Sequence, residues 1–62
     1  MKYSEVIRKL RKNGCCFVSH GTNHDWWESP ITGRRFQVPR HESEEAKPKT
    51  LKSISEQSGV KF

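Results

Sequence analysis

The segment at residues 21–27, with the sequence GTNHDWW, places a histidine between a turn-forming triplet and two tryptophans. Histidine titrates near neutral pH, so His24 could act as a general base or a general acid. RNA carries its own nucleophile, the 2′-hydroxyl. Its cleavage needs only a group that takes this proton, an acid for the leaving 5′-oxygen, and cations for the phosphate. The residues alone leave two interpretations open: a catalytic histidine, or a turn residue that caps a backbone group.

A second dense stretch, RRFQVPRH at residues 34–41, supplies cations. It could be a solvated strand edge kept soluble by charge, or a surface that contacts RNA phosphates. The tryptophans favour the second interpretation, because an exposed indole can stack on an unpaired base. Strand alternation sends only one of them outward, and we predict that Trp27 is exposed while Trp26 lies in the core. The candidate RNA-binding residues are therefore Arg34, Arg35, Arg40, Lys47 and Trp27.

Metal binding is a third use of these residue types. The segment at residues 15–24 supplies two sulfurs and two imidazoles, from Cys15, Cys16, His20 and His24. Strict alternation in CCFVSH sends the two cysteines to opposite faces, with Cys16, Val18 and His20 on one face. No spacer of about twelve residues separates two ligand pairs, as zinc fingers require. We therefore predict no metal site and no cofactor, with Cys16 packed as a small apolar residue, and keep a structural zinc module as an alternative.

The elements that must position these residues follow from periodicity. A stripe at helical spacing predicts a first helix that stops at Asn13 and Gly14, and it consists of Tyr3, Val6, Ile7 and Leu10. Three short segments of strand-forming residues follow, CCFVSH, HDWWES and RRFQV, joined by turns at GTN and PITG. Pro48 and Gly59 suit the two ends of a second helix, whose apolar stripe is thin. The predicted fold is α+β, in the order helix, three antiparallel strands, helix.

Length and composition limit the function further. A chain of 62 residues forms one domain, residues 1–62, with no room to enclose a large cofactor, so its chemistry must lie on an open face. Twelve Lys and Arg stand against seven Asp and Glu, which favours a polyanion or an acidic protein as partner. No apolar stretch approaches the roughly 20 residues of a membrane span, and the first ten residues lack the apolar core of a secretory signal. We therefore expect a cytoplasmic protein with no membrane partner.

Four segments, taken in order, span nearly the whole chain: SEVIRKLRKNG, GTNHDWW, SPITGRRFQVPRH and KPKTLKSISEQSG. Together they resemble the HicA family of toxin ribonucleases, also called mRNA interferases. The resemblance implies a double-stranded-RNA-binding-domain-like fold and metal-independent cleavage of mRNA by an endoribonuclease. His24 would be the catalytic residue, as the histidine of the Gly-x-x-His segment. A type II toxin–antitoxin pair is also implied, in which a HicB-like antitoxin covers this histidine.

The chain departs from the family pattern at two places. Asn23 stands where many members have a second histidine, which should leave catalysis intact because only one imidazole is assigned the role. The second helix carries three serines, Ser53, Ser55 and Ser58, where bulkier residues are common. This difference implies lower stability or a surface completed by the antitoxin. The alternative function is a non-catalytic module that binds double-stranded RNA by shape, and such a module has no need of His24.

Overall fold

The computed structural model describes residues 1–62 as two helices and three strands. The elements are α1 (Tyr3–Lys12), β1 (Cys16–His20), β2 (His24–Glu28), β3 (Arg35–Pro39) and α2 (Pro48–Ser58). The strands form one antiparallel sheet in the order β1-β2-β3. The predicted α-β-β-β-α order and the α+β class are confirmed. Neither helix is long and apolar enough to cross a lipid bilayer.

Both helices end where local sequence signals predict. The turn after α1 contains Gly14 at a φ of 88°, and Gly59 follows α2 at a φ of 75°. A positive φ is costly for residues with a Cβ atom, so glycine stops each helix. At Gly59 a Cβ atom would also lie 2.8 Å from the side chain of Ile31, in the β2–β3 connection. Glycine at this position therefore lets the end of α2 approach that connection closely.

The register of the strands divides the sheet into two faces. Trp27 lies opposite Phe17 on β1 and opposite Phe36 on β3, and this side, the core face, packs against the helices. The other side, the open face, carries the pairs His24–Pro39, Trp26–Gln37 and Glu28–Arg35. The buried cluster joins both helices to the core face, and its members are Tyr3, Val6, Leu10, Cys15, Trp27, Phe36, Val38, Ala46, Ile54 and Val60.

This register reverses the predicted orientation of the tryptophans. Trp27 is only 2% exposed, whereas Trp26 is half-buried on the open face. The prediction of an exposed Trp27 was therefore wrong, and Trp27 cannot present its ring to RNA. The physical reason is its pairing with Phe36. Cross-strand partners share a face, and the Phe36 face is the one that the helices cover.

Strand β1 contains a β-bulge that alternation does not predict. The pairing passes from Phe17 opposite Trp27 directly to Ser19 opposite Trp26, and Val18 is the extra residue. His20 is thereby shifted to the core face. The prediction for the cysteines was also wrong, because Cys15 is buried at 4% exposure and Cys16 is exposed. Cys15 directly precedes the strand, where it fills the core as a small apolar side chain.

The buried serine of α2, Ser58, has hydrogen-bond partners within the core. Ser58 is fully buried, and its hydroxyl donates to the Ile54 carbonyl at 2.6 Å. Ser29, also fully buried, donates its hydroxyl to the Ser58 carbonyl and accepts a hydrogen bond from the Ile31 N–H at 3.1 Å. Buried hydroxyls with partners avoid the cost of an unmade hydrogen bond. These bonds fasten the end of α2 to the β2–β3 connection.

The connection between β3 and α2 is fastened to the start of α1. The Tyr3 and Ser4 N–H groups, which have no partner within the helix, donate to the carbonyls of Glu44 and Glu42 at 3.0 and 3.1 Å. The Met1 amine lies 2.9 Å from Glu45 Oε2, which raises the pKa of the amine and lowers the pKa of the carboxyl. The stabilisation from this exposed pair is small. It is lost as pH falls through the lowered Glu45 pKa, and again as pH rises through the raised amine pKa.

Candidate active-site groove

An open groove runs between the open face of the sheet and α2. We call it the His24 groove; its volume is about 550 Å³, and its lining includes His24, Trp26, Gln37, Lys49, Ser53 and Gln57. The sheet contributes a histidine, an indole and an amide from adjacent positions of β2 and β3. The helix contributes an ammonium group and two further polar side chains. The groove therefore combines a titratable group, a cation and an aromatic ring at the protein surface.

His24 is presented by a tight turn. It is the first residue of β2, and its carbonyl accepts a hydrogen bond from the Gly21 N–H at 2.7 Å. A Cβ atom at Gly21 would lie 2.7 Å from that carbonyl oxygen and 3.2 and 3.3 Å from imidazole Cδ2 and Nε2. The imidazole thus lies directly against Gly21, and this close approach requires a residue without a side chain. The nearby hydrogen bonds engage the His24 backbone, which leaves the imidazole available to a ligand.

Arg40 holds this turn from the other side. Its guanidinium donates to the Gly21 carbonyl through Nη2, and its Nε lies 3.0 Å from Asp25 Oδ1. The Asp25 side chain is only 16% exposed, and the same oxygen lies 2.8 Å from His20 Nδ1. Arg40 therefore fixes the turn that carries His24. Its role in contacting phosphate, expected from the sequence, stays a prediction.

Of the other predicted RNA-binding cations, Arg34 and Arg35 lie away from His24. Arg35 pairs with Glu28 at 3.3 Å on the open face, at the opposite end of the strands. Four residues at about 3.3 Å each separate the two ends by roughly 13 Å. Arg34 is exposed beside it and forms no ion pair, whereas Lys47 is exposed just before α2. Arg34 and Arg35 therefore lie outside the groove that contains His24.

Three residues of α2 were missed in the sequence analysis. Lys49, Ser53 and Gln57 recur at intervals of four, and they line the His24 groove together. Residues four apart lie on one helical face, so this spacing is a signal that the sequence does contain. The spacing indicates a shared site only when the packing of α2 against β3 is also known. Trp26 and Gln37 also belong to the groove, where the sequence analysis expected Trp27.

The residues of the protein do not form a metal-binding cluster. No three His, Cys, Asp or Glu side chains lie close enough together to hold an ion. Cys15 is buried and Cys16 is exposed, so the two sulfurs do not converge with the histidines. The alternative of a structural zinc module therefore lacks its set of ligands. The groove offers proton transfer by an imidazole and charge stabilisation by an ammonium group instead.

Comparisons with known proteins agree in pointing to one family. Residues 3–60 match the family described as HicA toxin of bacterial toxin-antitoxin. Over 60 residues the chain is 42% identical to a protein of Photorhabdus laumondii subsp. laumondii named probable mRNA interferase HicA 1. That alignment covers 97% of this chain and 100% of the relative. No solved structure matches the chain.

Proposed function

The chain belongs to the HicA toxin family, and we propose that it is an endoribonuclease that cleaves mRNA, with His24 as the residue that transfers the proton. The observation that carries this proposal is the position of His24 in an open groove, with Lys49 and Trp26 in the same lining. An open groove admits a strand of RNA along its length. The +5 charge of the chain favours a polyanionic substrate.

The chemistry requires little beyond positioning. The His24 imidazole takes the proton of the 2′-hydroxyl as the 2′-oxygen attacks the adjacent phosphorus, and the bond to the 5′-oxygen breaks. Negative charge develops on the phosphate oxygens in this step, and the Lys49 ammonium group is the cation of the groove that can stabilise it. The leaving 5′-oxygen needs a proton, and water can reach it because the groove is open.

The test that separates this proposal from a non-catalytic double-stranded-RNA-binding module uses two substrates. One is a defined single-stranded RNA, and the other is the same strand with 2′-deoxy sugars. An enzyme that uses the 2′-hydroxyl cleaves the first and leaves the second intact. A binding module cleaves neither, and that result would contradict the proposal.

Cleavage is expected to proceed without a metal ion. Excess EDTA should leave the rate unchanged, because the proposed step uses an imidazole and an ammonium group and no three possible ligands converge. The measurement is the initial rate on single-stranded RNA before and after chelation. Loss of activity that magnesium restores would contradict this prediction.

Arg34 and Arg35 are expected to contact phosphates outside the reacting position. Replacing both by glutamine should weaken RNA binding and flatten its dependence on salt by about 0.7 units of slope per lost contact. Arg34 should contribute more than Arg35, because Arg35 is already paired with Glu28. A matched control removes the same charge from α1, with Arg8→Gln and Lys12→Gln. If RNA binding and its salt dependence change equally in both double variants, the effect is one of total charge and the prediction of specific contacts at Arg34 and Arg35 is contradicted.

We also propose that an antitoxin covers the His24 groove. The +5 charge favours an acidic surface on that partner, mainly through faster encounter. Trp26, which lies beside His24, is the aromatic anchor such an interface could bury. Coexpression with the adjacent reading frame of the source genome should give a stable complex in which His24 is protected from diethyl pyrocarbonate. His41 is exposed and serves as the internal control. Equal modification of His24 in the free and bound protein would rule out direct occlusion.

A further inference from the structure

Resting on the proposed function, we propose that the His24 groove is a subsite for a single unpaired nucleotide. The base stacks on Trp26, and Gln37 reads its edge. This assignment names a substrate class, single-stranded RNA at the point of cleavage. It also names a residue that determines which nucleotide is preferred. Three features of the groove carry it: the free indole, the free amide and the wall formed by α2.

The two tryptophans differ in what already covers their rings. The Trp27 ring meets Phe17 edge-on, with centroids 6.2 Å apart, and the Arg11 guanidinium lies 5.4 Å from its centre. The only aromatic ring near Trp26 is that of His24, at a centroid distance of 6.2 Å and an interplanar angle of 73°, so the two rings do not stack. Trp26 thus lacks a stacked partner within the protein and is accessible from the groove. An accessible indole of this kind is a platform on which any base can stack.

The amide that can read the base lies directly beside this platform. Gln37 is the cross-strand partner of Trp26, is exposed, and forms no side-chain hydrogen bond within the protein. Its amide offers both donors and an acceptor, which is what the edge of an unpaired base requires. Gln57, across the groove, donates its amide nitrogen to the Ser53 hydroxyl at 2.8 Å. That bond holds Gln57 in place, so Gln37 is the amide free to respond to different bases.

The shape of the groove selects a single strand. Its volume of about 550 Å³ lies in the range of roughly 300–1,000 Å³ that accommodates small organic ligands, and one nucleotide is of that size. Double-stranded-RNA-binding domains contact about 16 base pairs of duplex, across two successive minor grooves and the phosphates between them. In the His24 groove, residues of α2 form one side and residues of the sheet form the other, so a narrow unpaired nucleotide fits the groove better than a rigid duplex does. An unpaired nucleotide can enter, and entry brings its 2′-hydroxyl to His24.

The experiment uses the full chain and two readouts. The first is the cleavage pattern on a single-stranded RNA that contains every dinucleotide step. Trp26→Ala should lower kcat/KM roughly 5- to 150-fold, as expected for the loss of one stacked base, and Trp26→Phe should retain most of the activity. Gln37→Ala and Gln37→Glu should redistribute cleavage among the sites. Phe17→Leu removes an exposed ring from the other face and should change neither property.

The second readout is binding of a 2′-deoxy strand, which cannot be cleaved, to protein that also carries His24→Ala. We expect this binding to depend on Trp26 both in protein that retains His24 and in protein that carries His24→Ala. If no RNA is cleaved but this binding persists, the catalytic proposal fails and the subsite stands. If RNA is cleaved and neither the rate nor the pattern depends on Trp26 or Gln37, the subsite is overturned and the catalytic proposal stands. Circular dichroism of each variant identifies any that fail to fold, and Trp26→Leu, which removes the aromatic ring but keeps apolar volume, then replaces Trp26→Ala.

Discussion

Replacing His24 by alanine should abolish RNA cleavage and growth inhibition while the protein stays folded. His24 supplies the only imidazole in the lining of the groove, and loss of a proton-transfer residue typically lowers a rate by about 10²–10⁴-fold. The substitution leaves intact the backbone bonds that His24 makes with Gly21 and Arg40. The turn should therefore keep its conformation. The measurement is the single-turnover rate on a defined RNA, beside the circular dichroism spectrum.

The matched control for this variant is His41→Ala. His41 is exposed, follows β3 and does not line the groove. It should retain the wild-type rate, which separates the loss of a particular imidazole from the loss of any histidine. A folded His24→Ala protein that cleaves RNA at the wild-type rate would remove His24 from the mechanism.

Replacing Trp27 by alanine should remove a large part of the stability of the protein. Truncation of a buried aromatic residue costs about 3–5 kcal/mol, and a domain of this length has roughly 3–9 kcal/mol of stability in total. The matched control is Trp26→Ala, which removes the same indole from the open face and should leave a cooperative unfolding transition. The measurement is the midpoint of urea denaturation for each variant. Equal midpoints for the two variants would contradict the assignment of Trp27 to the core.

A second substitution at this position tests the same assignment more finely. The Trp27 indole Nε1–H is buried and has no hydrogen-bond partner, which costs free energy. Phenylalanine keeps most of the ring and removes the unpaired donor. Trp27→Phe should therefore be far less destabilising than Trp27→Ala. This comparison separates the loss of packed volume from the loss of the polar group.

The elements of the fold could be predicted because their signals are local. The apolar stripe of α1 and the glycines at 14 and 59 each act within a few neighbouring residues. Which face of β2 is buried could not be predicted in the same way. Alternation separates Trp26 from Trp27, but only pairing with Phe36 and coverage by the helices decide which of them is core. The bulge at Val18 is equally non-local, because it exists only relative to the partner strand.

The candidate site could be predicted only in part, because some of its residues have local sequence signals and others depend on how distant elements pack. His24 lies in a short segment whose residue types suggest its chemistry, so it was identified directly. The α2 wall depends on how a helix that begins 24 residues later packs against β3. Lys49 and Gln57 were consequently missed, and the position of Arg34 at the far end of the sheet from His24 could not be predicted either. Arg40 illustrates a third case, in which a cation expected to bind phosphate also fixes the turn that carries His24.

The bulge at Val18 has a consequence for how the free chain behaves in solution. Strand β1 is an edge of the sheet, and a regular edge strand offers an unbroken row of N–H and C=O groups on which another copy can add a strand. The extra residue interrupts that row and increases the local twist. Edge-to-edge polymerisation into β-rich aggregates is thereby discouraged.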